Sequence, residues 1–367
     1  MNNLHHSRVG LMTFHYQYNC GSALQAYALQ EMINKLGYEC LIINYFFRDD
    51  MKIYGVRWGS PLKAIVFDIL ITPKRLFQHK KYREFRKRFF TNITTKTDNS
   101  NELARLTDNC DSLVCGSDQI WNFDLGDVSP YFLNFASSKQ KKISYAPSYN
   151  KDELDEKAKK AYKQYLRDFA SLSVREQTTA EQLTDLLKKR IECVLDPTLL
   201  HSKSFYTDML KGYSDVRFPE RYIFVYNLHL SRIKKLLRFA EKYAEKNNIK
   251  IVYFAKRNII GKPYDKNIFK YGPLAFLKAV SGADFVIGDS YHACAFSIIF
   301  GKQFACGYEN TRTMDLLKKF NLDRRFIDDD NILNEKIDYK EVYQLLDEYK
   351  STSINYLIQS LKTGDRP

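Results

Sequence analysis

The chain has 367 residues, 44% of them hydrophobic and 27% charged, which suits two globular domains and excludes a disordered chain. A formal net charge of +14 asks for an anionic partner: nucleic acid, an anionic membrane surface or an anionic substrate. No helix-turn-helix, zinc finger or RNA-binding aromatic motif accompanies the charge, so nucleic acid is the partner least expected.

Other broad classes fall away on simple grounds. There is no uninterrupted apolar run of about 18 residues, so no transmembrane helix is expected. Met1 to Ser7 is polar and lacks the apolar stretch of a secretory signal. The seven cysteines are scattered, with no Cys-x-x-Cys pair, which predicts neither a disulfide framework nor a zinc site. A reducing cytoplasm is the expected location, and no metal or cofactor is expected.

In chain order, the first strand is expected at Val9 to Phe14, then the loop Tyr16 to Ser22 and a helix to Leu36. Leu24, Tyr27, Ala28, Met32 and Leu36 hold the three-four spacing of one buried helix face. Gly37 is placed to end that helix, and a short apolar strand follows at Cys40 to Asn44. Strand, helix, strand in this order is a βαβ unit and implies a parallel sheet.

The stretch Trp58 to Phe90 joins apolar Ala64 to Ile71 to a run of lysines and arginines between Lys74 and Arg88. Phe77, Tyr82, Phe85, Phe89 and Phe90 are interleaved with those cations. Two readings fit: an interfacial helix on anionic lipid, or a solvated helix packing its aromatics on the domain. Further buried strands are expected at Ser112 to Cys115, Lys142 to Ala146, Ser171 to Val174 and Glu192 to Leu195, with a helical stretch from Lys151 to Ala170.

The pattern restarts at Tyr222 to Asn227, followed by a helix (Ser231 to Lys246) and a strand (Ile251 to Ala255). The helix Pro273 to Ser281, strand Phe285 to Gly288, helix Tyr291 to Phe300 and strand Phe304 to Gly307 come next, then a last helix from Asp338 to Leu361. Turn formers at Lys211 to Pro219 mark the expected boundary. The expected architecture is α/β: two Rossmann-like doubly wound domains, 1–210 and 220–340, facing across a cleft, with a C-terminal helix and tail at 341–367. In such sheets ligands bind at the carboxyl ends of the strands.

Four motifs fall at those ends. Asn19-Cys20-Gly21-Ser22 opens a helix, where free N–H groups attract anions, although the motif alone favours a simple capped helix start. Neither a Gly-x-Gly-x-x-Gly fingerprint nor a Walker sequence occurs. Asp118, Gln119 and Asn122 suit sugar hydroxyls and Trp121 offers a stacking face, unless the loop merely buries its tryptophan. Arg175 is delivered by an apolar strand and is suited to a carboxylate or phosphate, unless it pairs with Glu176 on the surface. His292 opens a helix beside Asp289 and Ser290 and can transfer protons, unless the motif is a helix cap with an incidental histidine.

The ordered set of motifs resembles the polysaccharide pyruvyl transferase family. The stretches are Val9-Gly10-Leu11-Met12-Thr13-Phe14-His15, Asn19-Cys20-Gly21-Ser22-Ala23-Leu24-Gln25-Ala26-Tyr27-Ala28-Leu29-Gln30, Gly116-Ser117-Asp118-Gln119-Ile120-Trp121-Asn122 and Ile143-Ser144-Tyr145-Ala146. They continue with Ser173-Val174-Arg175-Glu176, Leu195-Asp196-Pro197-Thr198-Leu199-Leu200 and Asp284-Phe285-Val286-Ile287-Gly288-Asp289-Ser290-Tyr291-His292. The resemblance implies a GT-B-like fold, phosphoenolpyruvate as donor and a saccharide acceptor, often lipid-linked. It also implies that Arg175 and His292, with Arg312, sit at the donor. Where the family usually has Gly-Thr after the histidine, this chain has Ala293-Cys294, and the added methyl is expected to alter a close approach.

On that reading a pyruvate ketal forms on a saccharide, as in capsule or exopolysaccharide assembly. His292 is the expected acid, with Asp289 or Asp118 assisting. Arg175, Arg312, Asn19, Gly21, Ser22 and Ser290 are expected at phosphoenolpyruvate, and Gln119, Trp121 and Asn122 at the acceptor. A lipid-pyrophosphate acceptor would give the basic 58–90 segment a role at the inner membrane face. The rival readings are a nucleotide-sugar glycosyltransferase on the same fold, and a non-catalytic saccharide-binding protein.

Overall fold

A computed structural model describes residues 7–46, 62–149, 151–255, 266–327, 332 and 335–362. The chain divides into two compact units, one of residues 1–73, 86–200 and 349–367, the other of 74–85 and 201–348.

In the first unit, β1 (Arg8–Met12) leads through a loop to α1 (Cys20–Lys35), and the chain returns in β2 (Glu39–Ile42). Helix α2 (Leu62–Phe89) and the short α3 (Ser100–Leu106) precede β3 (Ser112–Cys115) and β4 (Lys141–Ser144). The strands pair in parallel in the order β2-β1-β3-β4. Beyond α4 (Glu156–Tyr165), a parallel bridge from Ile143 to Ser171 joins on β5 (Ser173–Val174). Helix α5 (Gln177–Leu187) then connects β5 to its parallel partner β6 (Glu192–Cys193). The strand order therefore reverses between β1 and β3, and that reversal is where such a sheet opens to a ligand.

The second unit begins with α6 (Lys203–Met209) and β7 (Tyr222–Tyr226). Helix α7 (Ile233–Asn247), β8 (Lys250–Phe254), β9 (Lys266–Asn267), α8 (Gly272–Gly282) and β10 (Phe285–Gly288) follow. Then come α9 (Tyr291–Phe300), β11 (Gln303–Cys306), α10 (Thr311–Lys319) and α11 (Tyr339–Leu361). All five strands are parallel, in the order β11-β10-β7-β8-β9, so this sheet reverses between β7 and β10. Apart from the edge strand β9, its strands are almost wholly buried and read as apolar runs, as expected of a parallel sheet.

The partition differs from the expected 1–210, 220–340 and 341–367. The chain changes unit after Leu200, ahead of the polar stretch at 211–219. Burial explains this: Tyr206 on α6 is fully buried, with its ring edge-on to Phe296 at 5.0 Å. The end of α11 belongs to the first unit, where Leu195 N–H donates to Ser353 Oγ at 2.9 Å and Tyr356 donates to the Ser144 carbonyl at 2.9 Å.

Residues 74–85 of α2 belong to the second unit, with Phe77 edge-on to Tyr271 at 5.5 Å and Lys81 paired to Asp215 at 2.7 Å. Tyr82, Phe85, Phe89 and Phe90 are buried, so these four rings pack on protein, as in the reading of a helix packed on the domain; the side chains of Ala64 to Ile71, the apolar part of the segment, lie outside the described ones. Positions 58–61 of that segment lie outside the described residues.

Candidate functional site

The reversal point of the first sheet is bridged by a hydrogen bond. Ser22, in the first turn of α1, donates from Oγ to Asp118 Oδ2 at 2.5 Å, and both residues are buried. Asp118 follows β3 at φ 70°, a left-handed conformation that aspartate tolerates better than most residues. Its other oxygen accepts from Gln119 N–H at 2.9 Å. Gly116 makes the turn before it: φ is +130°, and an added Cβ would fall on the Tyr145 carbonyl oxygen.

Helix α1 is capped. Asn19 Oδ1 accepts from the N–H groups of Gly21 at 2.9 Å and Ser22 at 3.4 Å. Those two donors are therefore committed to the cap, the alternative that the sequence offered for Asn19, Gly21 and Ser22. One turn on, Gln25 is fully buried and joins the neighbouring loops. It accepts from Ser117 N–H at 3.1 Å and donates to Thr13 Oγ1 at 2.8 Å.

Arg175 is delivered to the carboxyl end of β5 as expected, but its surroundings differ from both sequence readings. Its side chain is 1% exposed. Nε donates to Glu176 Oε1 at 2.9 Å and Nη1 to Asp196 Oδ2 at 3.0 Å. Asp196 Oδ1 accepts from the Thr198 hydroxyl at 2.7 Å and from its N–H at 3.0 Å. Two buried carboxylates thus neutralise the guanidinium, which gives Arg175 a structural anchorage in place of an open anion site.

The expected acceptor residues also separate. Trp121 is 1% exposed, stacked on Phe132 at 5.1 Å and 8°, and its Nε1 donates to the Tyr131 carbonyl at 3.4 Å. It presents no face to a sugar and is a core residue. Asn122 is buried and accepts from Asp124 N–H at 3.0 Å, capping a single 3₁₀ turn. Of the three, Gln119 alone is partly exposed.

The second reversal point repeats the theme with different residues. Asp289 follows β10, and its carboxylate takes Leu228 N–H at 2.8 Å, His229 N–H at 3.1 Å and Asn227 Nδ2 at 3.1 Å. The loop after β7 is thereby tied to the end of β10. Burial pushes the Asp289 carboxyl above its ordinary range, and the Leu228 and His229 N–H groups pull it part of the way back. Asp289 therefore braces the loop.

Ser290 is the N-cap of α9, but its hydroxyl makes no capping bond. His292 lies in the first turn of α9 and is buried. Arg312 lies in the first turn of α10, half-buried, behind a capping box between Asn310 and Thr313. Both helix starts follow adjacent strands, β10 and β11, on the same edge of the sheet. The methyl of Ala293 rests over Gly288: a Cβ there would lie 2.7 Å from it. The added methyl of this chain is thus accommodated against the strand.

These geometries stand beside an independent match. The profile of the family described as polysaccharide pyruvyl transferase matches residues 19–308. The chain belongs to the polysaccharide pyruvyl transferase family. Solved structures similar to this pyruvyl transferase family member share its fold at low identity. A candidate UDP-N-acetylglucosamine 2-epimerase from Listeria monocytogenes superposes at TM-score 0.53 and 10% identity, over 97% of this chain and 91% of the other. Arabidopsis thaliana UGT89C1, complexed with quercetin, gives 0.50 and 12%, over 96% and 98%. The Methanocaldococcus jannaschii UDP-GlcNAc 2-epimerase, complexed with UDP-GlcNAc and UDP, gives 0.50 and 11%, over 93% and 98%. These neighbours place the family member in the GT-B-like class of two Rossmann-like units. A sequence search of curated proteins finds no match.

Gln25, Ser117, Asp196, Thr198, Asn227 and His229 join these contacts in addition to the residues expected from the sequence. Gln25 and Asp196 had a readable signal: a polar residue three positions after Ser22 on a buried helix face, and an aspartate directly after an apolar strand. Asn227 and His229 had none, because their contact with Asp289 spans about sixty residues of sequence. Among the described residues no helix is long and apolar enough to cross a membrane.

Proposed function

We propose that this protein transfers the enolpyruvyl group of phosphoenolpyruvate to a saccharide, closing a pyruvate ketal on two sugar hydroxyls. The carrying observation is the edge formed by α9 and α10. There a helix of ten residues opens without a side-chain cap, places His292 in its first turn and lies beside the start that bears Arg312. A helix start of this kind favours an anion, and the donor carries both a phosphate and a carboxylate.

In the proposed reaction His292 gives a proton to the methylene carbon of the donor. The adjoining carbon becomes oxocarbenium-like and is attacked by a sugar hydroxyl, which loses its proton. Phosphate leaves with its bonding pair, and a second hydroxyl closes the ring. Asp289 holds the β7 loop in place. Membership of the family supports the transfer chemistry, and the neighbours' fold supports a sugar substrate. A lipid-pyrophosphate carrier for the acceptor, in capsule or exopolysaccharide assembly, belongs to the same proposal. The exposed Lys80, Arg83, Lys87 and Arg88 support an electrostatic contact with an anionic membrane.

The test is calorimetric titration of phosphoenolpyruvate against a panel of nucleotide sugars, together with phosphate release in wild type and His292→Ala. The expected result is donor binding and a turnover about 10²–10⁴-fold lower in the variant at unchanged fold. Binding of a nucleotide sugar in place of phosphoenolpyruvate would assign glycosyl transfer. Saccharide binding with no phosphate release would leave a binding protein.

A further inference from the structure

With Trp121 buried, the aromatic faces at the carboxyl edge of the first sheet are found elsewhere. Tyr16, four residues after β1, and Phe46, four residues after β2, pair their rings at 5.5 Å and 30°. A parallel bridge between Tyr45 and Thr97 brings Lys96 to the same corner. The Lys96 ammonium lies 3.9 Å from the Phe46 ring centroid and 4.7 Å from that of Tyr16, and donates to the Tyr16 hydroxyl at 3.0 Å. Arg86 brings a second cation to the Tyr16 ring, at 4.8 Å.

The chemistry of this corner is specific. Lys96 is exposed, and among the described residues it forms no ion pair with a carboxylate. A free lysine on a surface normally sweeps many rotamers, and that freedom opposes binding. Here two rings and a hydroxyl hold the ammonium in place, with N–H groups left over, on the edge where a parallel sheet receives its ligand. Half-exposed Tyr16 and Phe46 beside it add ring faces of the kind that sugars stack on.

We propose that the Tyr16, Phe46 and Lys96 corner is a saccharide subsite that selects an anionic group, carboxylate or phosphate, on the acceptor. The inference rests on the acceptor being a saccharide, as in the proposed function, and adds that it is an acidic one. Lys96 makes a charge-assisted hydrogen bond to that group, Arg86 reinforces the positive field, and the rings carry the adjoining sugar.

The test compares three probes by calorimetry: a hyaluronan tetrasaccharide for a carboxylate, glucose 1-phosphate for a phosphate, and N-acetylchitotetraose as the neutral reference. Each is titrated into the full chain as wild type, Lys96→Gln and Tyr16→Phe. At least one acidic probe is expected to bind about tenfold more tightly than the neutral one, and Lys96→Gln to remove that preference. Tyr16→Phe keeps the ring and releases the ammonium, so a smaller loss is expected. The affinity should fall as salt is raised. Which acidic probe responds identifies the group. Equal affinity for acidic and neutral probes, or a preference untouched by Lys96→Gln, overturns the subsite. Phosphoenolpyruvate titrated into the same variants separates this from the donor reading: Lys96→Gln should leave donor affinity unchanged, and a chain that binds no donor but keeps the Lys96-dependent preference would fail the donor proposal alone.

Discussion

Ser22 Oγ and Asp118 Oδ2 lie 2.5 Å apart across the reversal point of the first sheet, joining the start of α1 to the loop after β3. Asp289 does the equivalent work in the second sheet through the N–H groups of Leu228 and His229. In each unit a buried aspartate fixes the two loops that flank the place where strand order turns. The side chains nearby are then held at defined positions before any substrate arrives.

Ser22→Ala removes one donor from a buried carboxylate and should cost about 1–3 kcal/mol. Urea denaturation is the measurement. A variant as stable as wild type would mean that Asp118 finds water or another donor in place of the hydroxyl.

Arg175→Ala leaves Glu176 and Asp196 without their shared cation. A loss of about 3–5 kcal/mol is expected, seen as a lower thermal midpoint and a poorer folded yield. Arg175→Lys should recover little, because one ammonium does not reproduce the two directed bonds of the guanidinium. Unchanged stability with a selective loss of phosphoenolpyruvate affinity would return Arg175 to the donor.

Gly116→Ala should be among the most disruptive single changes in the first unit. The residue has φ +130°, and its Cβ would strike the Tyr145 backbone. Gly126→Ala is the matched control, with φ +116° and nothing within 4 Å. The control bears the backbone strain alone, of order 1–3 kcal/mol. Comparison of soluble yield and melting midpoint separates strain from overlap, and equal effects would show that the Tyr145 segment moves aside.

His15 gives a pH signature. It is buried between the Thr13 carbonyl and the Asn44 side-chain oxygen, 3.0 Å from each, and burial lowers its pKa below 6.5 despite both contacts. The unfolded chain therefore takes up the proton first as pH falls. The contribution of His15 is fully present above about pH 6.5 and is lost as pH drops toward its lowered folded value. Melting midpoints in wild type should decline over that interval, and His15→Gln should flatten the slope. An identical slope in both would assign it to other groups.

Much of this protein was legible along the chain. Apolar strands alternating with amphipathic helices gave the βαβ order, since a parallel sheet buries both faces and its strands read as continuous apolar runs. The ordered motifs put Asp118, Arg175, Asp289 and His292 at strand ends, because the residues after an apolar strand in such a unit lie on one edge.

What the chain could not reveal was direction and company. Trp121 and Gln119 are two residues apart, yet one is core and the other reaches the surface, which depends on Phe132 and Tyr131 arriving from another loop. Whether Arg175 faces a substrate or two carboxylates turned on Asp196, twenty-one residues away. The ring pair that positions Lys96 needs β1, β2 and the 94–97 segment side by side. Local pattern reports which residues are apolar and where the chain turns. The partner that neutralises a buried charge or covers a ring is chosen by strand order, and strand order exists only in the folded chain.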